Sequence, residues 1–362
     1  MTRFKKGPGA LVALVAAVAA VLASATAAGA AGKQTALKVD PSIKNQRFTL
    51  IIQGSGDPSK IVETHAVDIL KKWGVNASVR YNPTSSNVAI AQVQSGDADA
   101  FANAIAGGYG AAIAGIPVVD FALLEPRMDY VFISRPDISS ISQLKGKKIG
   151  VLDTTSVNYP QALLVLKHGG LDAKDVDIIT AGGQSSRLAA LVAGRVDATM
   201  LSHTAWLTLQ SQGYHLLWDY TKQTGNLYDD NAFATKSWLA GHKALATAFN
   251  EALLLSYAWF SNPKNATAVV NEAMSNWSGQ DASTLTKLYD ILRTNNAYPP
   301  CYSMNIPTLK YQAALFEQLG AVKGHLAVGD WANVAYTNAA RKAVCGNKVG
   351  SKAIPKKKKH KK

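Results

Sequence analysis

The stretch ISQLKGKKIGVLDTTSVNYPQALLVLKHGGLDAKDVDIITAGGQSSRLAALVAGRVDATMLSHTAW, residues 141–206, decides the fold. Its pieces alternate between two periodicities. KKIGVLD (147–153) is a short apolar run that reads as a buried strand, and residues 159–168 carry a helical pattern closed by Gly169-Gly170. VDIITAG (176–182) is the next strand, 186–193 the next helix, and VDATMLS (196–202) a third strand. Strands that alternate with helices argue for a largely parallel sheet with helices on both faces.

The same rhythm occurs upstream. FTLIIQ (48–53) reads as a strand, 60–73 as a helix closed by Gly74, 75–81 as a strand, 86–95 as a helix and 98–104 as a strand. Even a phrase repeats: QSGDADAF (94–101) and VAGRVDATM (192–200) each combine a helix end, a Gly near the cap and an Asp entering a strand. Two similar α/β lobes follow. The apolar segments 116–124 and 130–134 lie between the halves and are expected to cross from one lobe to the other. Beyond Trp218 longer helical stretches appear, at 243–260, 266–277 and 282–293, and these are expected to return over the first lobe.

The termini have a different character. Arg3, Lys5 and Lys6 precede an almost purely apolar run over 10–23, and A-x-A-like sites end at Ala27 and Ala30, as in a cleavable signal peptide. No Cys stands near that region, so a lipoprotein route is closed. The expected organisation is a signal peptide over 1–30, a first part of lobe I over 45–125, lobe II over 126–220, a return to lobe I over 221–346, and a Lys-rich tail over 347–362. The expected location is periplasmic or otherwise extracytoplasmic.

The net charge of +14 is concentrated at the two ends. Three positive charges lie in the leader and seven are lysines of the last eleven residues, with no acid in either segment, which leaves +4 for the body. A mildly basic body whose charges form no patch with its aromatic residues does not suit nucleic-acid binding. The two cysteines, Cys301 and Cys345, allow one disulfide or two free thiols, and an oxidising compartment favours the disulfide.

The segment 141–206, with its S-x-L-K-G-K-K strand entry, Thr/Ser-rich turn, helix ending in "GL" and G-x-V-D-A strand, resembles the sulfonate/nitrate/taurine and thiamine-precursor group of ABC-transporter solute-binding proteins. QSGDADAF resembles the matching phrase of that group's first lobe. The resemblance implies a two-lobed, hinged type II periplasmic-binding fold. It also implies capture of a small polar or anionic molecule (a sulfonate, a carboxylate or a vitamin precursor) and delivery to a membrane permease of an ABC importer. It implies a monomer that is not an enzyme and needs no cofactor or metal. QGSGDPS (53–59) departs from the larger residues common in that group and resembles the Gly-rich turn of TAXI-type TRAP receptors.

In open parallel sheets ligands sit beyond the carboxyl ends of strands, where helix N-termini converge. Gly54, Ser55 and Asp57 follow the first strand, Ser86 the second and Asn103 the third. Thr154, Thr155 and Ser156, then Gln184, then His203 occupy the equivalent turns of the second half. Tyr159 and Trp206, with Tyr109, are placed to supply aromatic walls, with a core position the competing role of each. N-capping is the competing role of such Ser, Thr, Asn and Asp residues. Arg187, after the Gln-Ser-Ser turn, could pair an anion bidentately, and a solvated helix face is its expected role. No H-E-x-x-H, P-loop or G-x-S-x-G motif is present, and the histidines of the body are scattered singly.

Overall fold

β1 (Arg47–Gln53) shows why the sheets are buried on both faces. Phe48, Leu50 and Ile52 enter one apolar cluster while Ile51 enters another, so side chains that alternate in direction are apolar both ways. The computed structural model describes residues 37–53, 58–82, 86–154, 156–225 and 227–346. The signal-peptide and Lys-tail expectations lie outside those residues.

The remaining strands are β2 (Asn76–Asn82), β3 (Ala100–Ala104), β4 (Val118–Leu123), β5 (Tyr130–Ser134), β6 (Lys148–Val151), β7 (Asp177–Thr180), β8 (Ala198–Ser202), β9 (His215–Asp219) and β10 (Asp230–Thr235). They form two five-stranded sheets of matching plan, β2-β1-β3-β10-β4 and β7-β6-β8-β5-β9. Within each, three consecutive neighbours pair in parallel, and the fourth strand in the order pairs antiparallel with both of its neighbours. That inverted strand, β10 or β5, is the one that enters from the other sheet. This is a two-lobed type II α/β architecture with mixed rather than wholly parallel sheets.

One expectation is corrected here. Segments 116–124 and 130–134 do not cross between the lobes; they supply β4 to the first sheet and β5 to the second. Residues 124–129 make the first crossover, and the chain returns through the second after Asp219. An apolar run of six residues has the same pattern whether it is a buried strand or a buried connection.

The helix Lys243–Ser261 packs with Ile61–Lys72 on the first sheet. It buries Leu245, Phe249, Leu253, Tyr257 and Phe260 along one stripe. Cys301 and Cys345 are joined in a disulfide, with Cα atoms 5.9 Å apart, that ties the loop after helix Ala282–Thr294 to the end of helix Ala335–Cys345. No helix among the described residues is long and apolar enough to cross a membrane.

Candidate functional site

The carboxyl ends of β1, β2 and β3 and of β6, β7 and β8 mark the candidate cleft. Gly54, Ser55, Asp57 and Thr155 lie outside the described residues. Of the others, Thr154 is exposed, while Ser86 and Ser156 are buried. The Ser156 hydroxyl donates to the Asp153 carbonyl at 2.9 Å, closing the turn after β6. Gln184 Oε1 accepts from the Ser202 N–H at 2.9 Å and so joins the start of helix Gln184–Val192 to the end of β8. Tyr159 is partly buried at the start of helix Asn158–His168, and Trp206, also partly buried, packs against the second lobe's own apolar cluster.

Asn103, near the end of β3, is fully buried, and neither of its amide atoms has a hydrogen-bond partner among the described residues. Helix Ile105–Ile113 folds back directly over it. A Cβ on Gly107 would lie 2.4 Å from Asn103 Nδ2, so a glycine is needed for the approach. Buried amides without partners are uncommon and call for a physical reason.

Two expectations change. Tyr109 is not a pocket wall: it is wholly buried against Trp331, and its hydroxyl donates to Glu317 at 2.5 Å. Arg187 is not solvated, being only 3% exposed. Its Nε donates to the Met200 carbonyl at 3.1 Å and Nη1 to the Gly182 carbonyl at 2.8 Å. It forms no ion pair with a carboxylate among the described residues, and burial draws its pKa down to about 10. Nearby, Gly183 caps helix Gln184–Val192 without a side-chain hydrogen bond. A buried guanidinium and a helix start without a side-chain cap bond thus share the corner where β7 and β8 end. A cation without a counter-charge is costly to bury, and an anionic guest would offset that cost.

The crossovers carry the opposite arrangement. Lys60 Nζ contacts Glu125 of the first crossover and lies 3.1 Å from Asp230, which ends the second. Burial alone would discharge the ammonium, but the charges of Glu125 and then Asp230 outweigh it and hold its pKa well above the ordinary value. Burial pushes Glu125 up to about 7 against the pull of Lys60. Glu63, 1% exposed, has its pKa raised well above the ordinary value by burial and then by the charge of Glu125.

Further along, His203 Nδ1 lies 2.9 Å from Asp129 and Nε2 3.6 Å from Asp219. Burial opposes the imidazolium, yet the hydrogen bond to Asp129 and the nearby carboxylates of Asp129 and Asp219 raise its pKa to about 9. Burial would raise Asp219 too, but His203 and Thr221 bond it and hold it below the carboxylate range. Asp229 receives the Asp129 N–H at 3.0 Å and the Gln161 amide at 3.1 Å. His203, expected to touch ligand, therefore has both ring nitrogens turned to crossover carboxylates. Sequence reasoning did not single out Lys60, Glu125, Asp129, Asp219, Asp229 or Asp230. The available signal was acids set beside apolar strands, in LLEPRMDY (123–130) and LYDDNAF (227–233). No group of three metal-ligating side chains occurs among the described residues.

With that geometry in place, the family model described as NMT1/THI5 like matches residues 71–266, more than half of the sequence. The chain belongs to the NMT1/THI5-like family. No curated protein matches it. Among solved structures, it resembles the alkanesulfonate-binding protein SsuA of Xanthomonas axonopodis pv. citri bound to MOPS, with a TM-score of 0.66 at 15% identity over 80% of this chain and 99% of that one. It also resembles the periplasmic nitrate-binding protein NrtA of Synechocystis PCC 6803, with a TM-score of 0.69 at 11% identity over 83% and 89% of the two chains. A third, the periplasmic aliphatic sulphonate-binding protein SsuA of Escherichia coli, gives 0.59 at 17% identity over 79% and 92%. At these identities the likeness establishes the fold.

Proposed function

We propose that this protein is an extracytoplasmic solute-binding protein that captures a small anion between its lobes and delivers it to an ABC importer. The observation that carries the reading is Arg187: a buried cation, without a carboxylate, beside the start of helix Gln184–Val192, which has no side-chain cap bond. A guanidinium with two of its nitrogens fixed on carbonyls keeps Nη2 to offer an oxyanion. The unpartnered amide of Asn103 in the first lobe supplies a second polar contact. Family membership supports the class, and the folds shared with sulfonate- and nitrate-binding proteins support a small oxyanion as cargo. Both cysteines are engaged in the disulfide and His203 between two carboxylates, which supports binding without chemistry on the ligand.

A thermal-shift screen against taurine, alkanesulfonates, nitrate, short carboxylates and pyrimidines tests this. A ligand at a hundredfold excess over its Kd is expected to stabilise the protein by about 2.7 kcal/mol. Native mass spectrometry should then recover it unaltered at one per chain. Stabilisation only by neutral pyrimidines would overturn the anion reading, and a converted ligand would overturn the non-catalytic one.

A further inference from the structure

Two buried cations stand at helix starts on the two lobes, one after β1 and the other after β8. Lys60, at the start of helix Ile61–Lys72 in the first lobe, bonds Glu125 of the first crossover and Asp230 at the end of the second. His203, in the first turn after β8 of the second lobe, faces Asp129 of the first crossover and Asp219 at the start of the second. Each lobe thus sends one cation that holds a carboxylate of the first crossover and a carboxylate on the strand residue that flanks the second, Asp230 of β10 or Asp219 of β9. The crossovers also bond each other directly: the N–H groups of Leu124 and Glu125 reach the Asp230 carbonyl, and that of Asp229 reaches the Glu125 carbonyl.

We propose that Lys60 and His203 are a matched pair of hinge fasteners that set how far the two lobes separate. The inference rests on the reading of the interlobe space as a binding cleft. Opening the lobes requires the crossovers to twist past one another. A cation shared between carboxylates on both segments resists that twist, because neither carboxylate can leave without stranding a buried charge. One fastener also adjoins a candidate ligand turn: His203 follows Ser202, whose N–H is held by Gln184. Ligand contacts at that turn therefore bear on the segments that govern closure. Lys60 and His203 act as positioning residues, and the affinity of the protein includes the closure equilibrium they set.

The test needs no ligand. Nitroxides at V88C and V192C report the distance between lobes; both positions are exposed, on helices Ser86–Gln94 and Gln184–Val192, and the native cysteines are engaged in the disulfide. By pulsed dipolar spectroscopy on the unliganded full chain, K60M and H203Q are each expected to widen the distance distribution about twofold relative to the parent, as the open-closed population spreads. K60R, which keeps the charge, should retain the parental width. Should K60M fail to fold, the triple variant K60M/E125Q/D230N neutralises the two acids that Lys60 bonds and is expected to show the same widening. A parental distribution in H203Q, or in whichever Lys60 variant folds, overturns the proposal. Because no ligand enters, that result would leave the capture function standing, and failure to find a ligand would leave the hinge result standing.

Discussion

The crossovers and the corner beneath helix Gln184–Val192 both bury positive charge, and they treat it in opposite ways. At the crossovers Lys60 and His203 each meet two carboxylates. At the corner Arg187 meets two backbone carbonyls and, among the described residues, no carboxylate. A buried charge with its counter-charges built in is part of the scaffold, since every partner comes from the chain. A buried charge lacking one is incomplete in the unliganded protein. On the proposed reading, the contrast separates residues that hold the lobes from residues that hold cargo, and several substitutions can break it.

The largest effect is expected at Lys60. K60M strands Glu125 and Asp230 in a dry site and should cost about 3–5 kcal/mol in urea unfolding. A loss below about 1 kcal/mol, the range of surface pairs, would mean that the cluster is solvated and the contrast false.

His203 should give the next effect, through pH. Its folded pKa of about 9 lies above the ordinary 6.5, so its stabilisation is complete below about 6.5 and is lost as pH rises through 9. Asp219 shifts the other way, and its contribution disappears only as pH falls through the acid range. Melting temperature should therefore decline between about pH 7 and 10 in the parent and stay flatter over that range in H203Q. Parallel profiles in the two proteins would remove His203 from the scaffold class.

The smallest change in stability is expected at Asn103. Replacing a buried amide that has no partner by an apolar group of similar size removes nothing the fold uses, so N103L should stay within about 1 kcal/mol of the parent while losing affinity. A large destabilisation would instead assign Asn103 to the core.

These regions differ equally in how far the sequence reveals them. The alternation within KKIGVLD, VDIITAG and VDATMLS made β6, β7 and β8 legible, because periodicity is a local property of the chain. The repeated Gly-Asp phrase likewise exposed the duplication of the lobes. The fasteners were hidden because their partners are remote: Lys60 meets Glu125 across 65 residues and Asp230 across 170, and His203 meets Asp129 across 74. Tyr109 was misplaced for the same reason, its hydroxyl finding Glu317 from 208 residues away. Arg187 looked like part of a polar helix face. Its burial depends on the Met200 carbonyl in β8, an acceptor that only the folded corner presents.

The central claim, that the unpaired cation is the one kept for cargo, is tested most directly by titrating R187M and the parent with the anion that stabilises the parent most. Charge-assisted hydrogen bonds of this kind are worth about 1.5–3 kcal/mol each, so R187M should bind about 10- to 100-fold more weakly than the parent under conditions where both proteins are folded. Parental affinity in R187M would contradict the account.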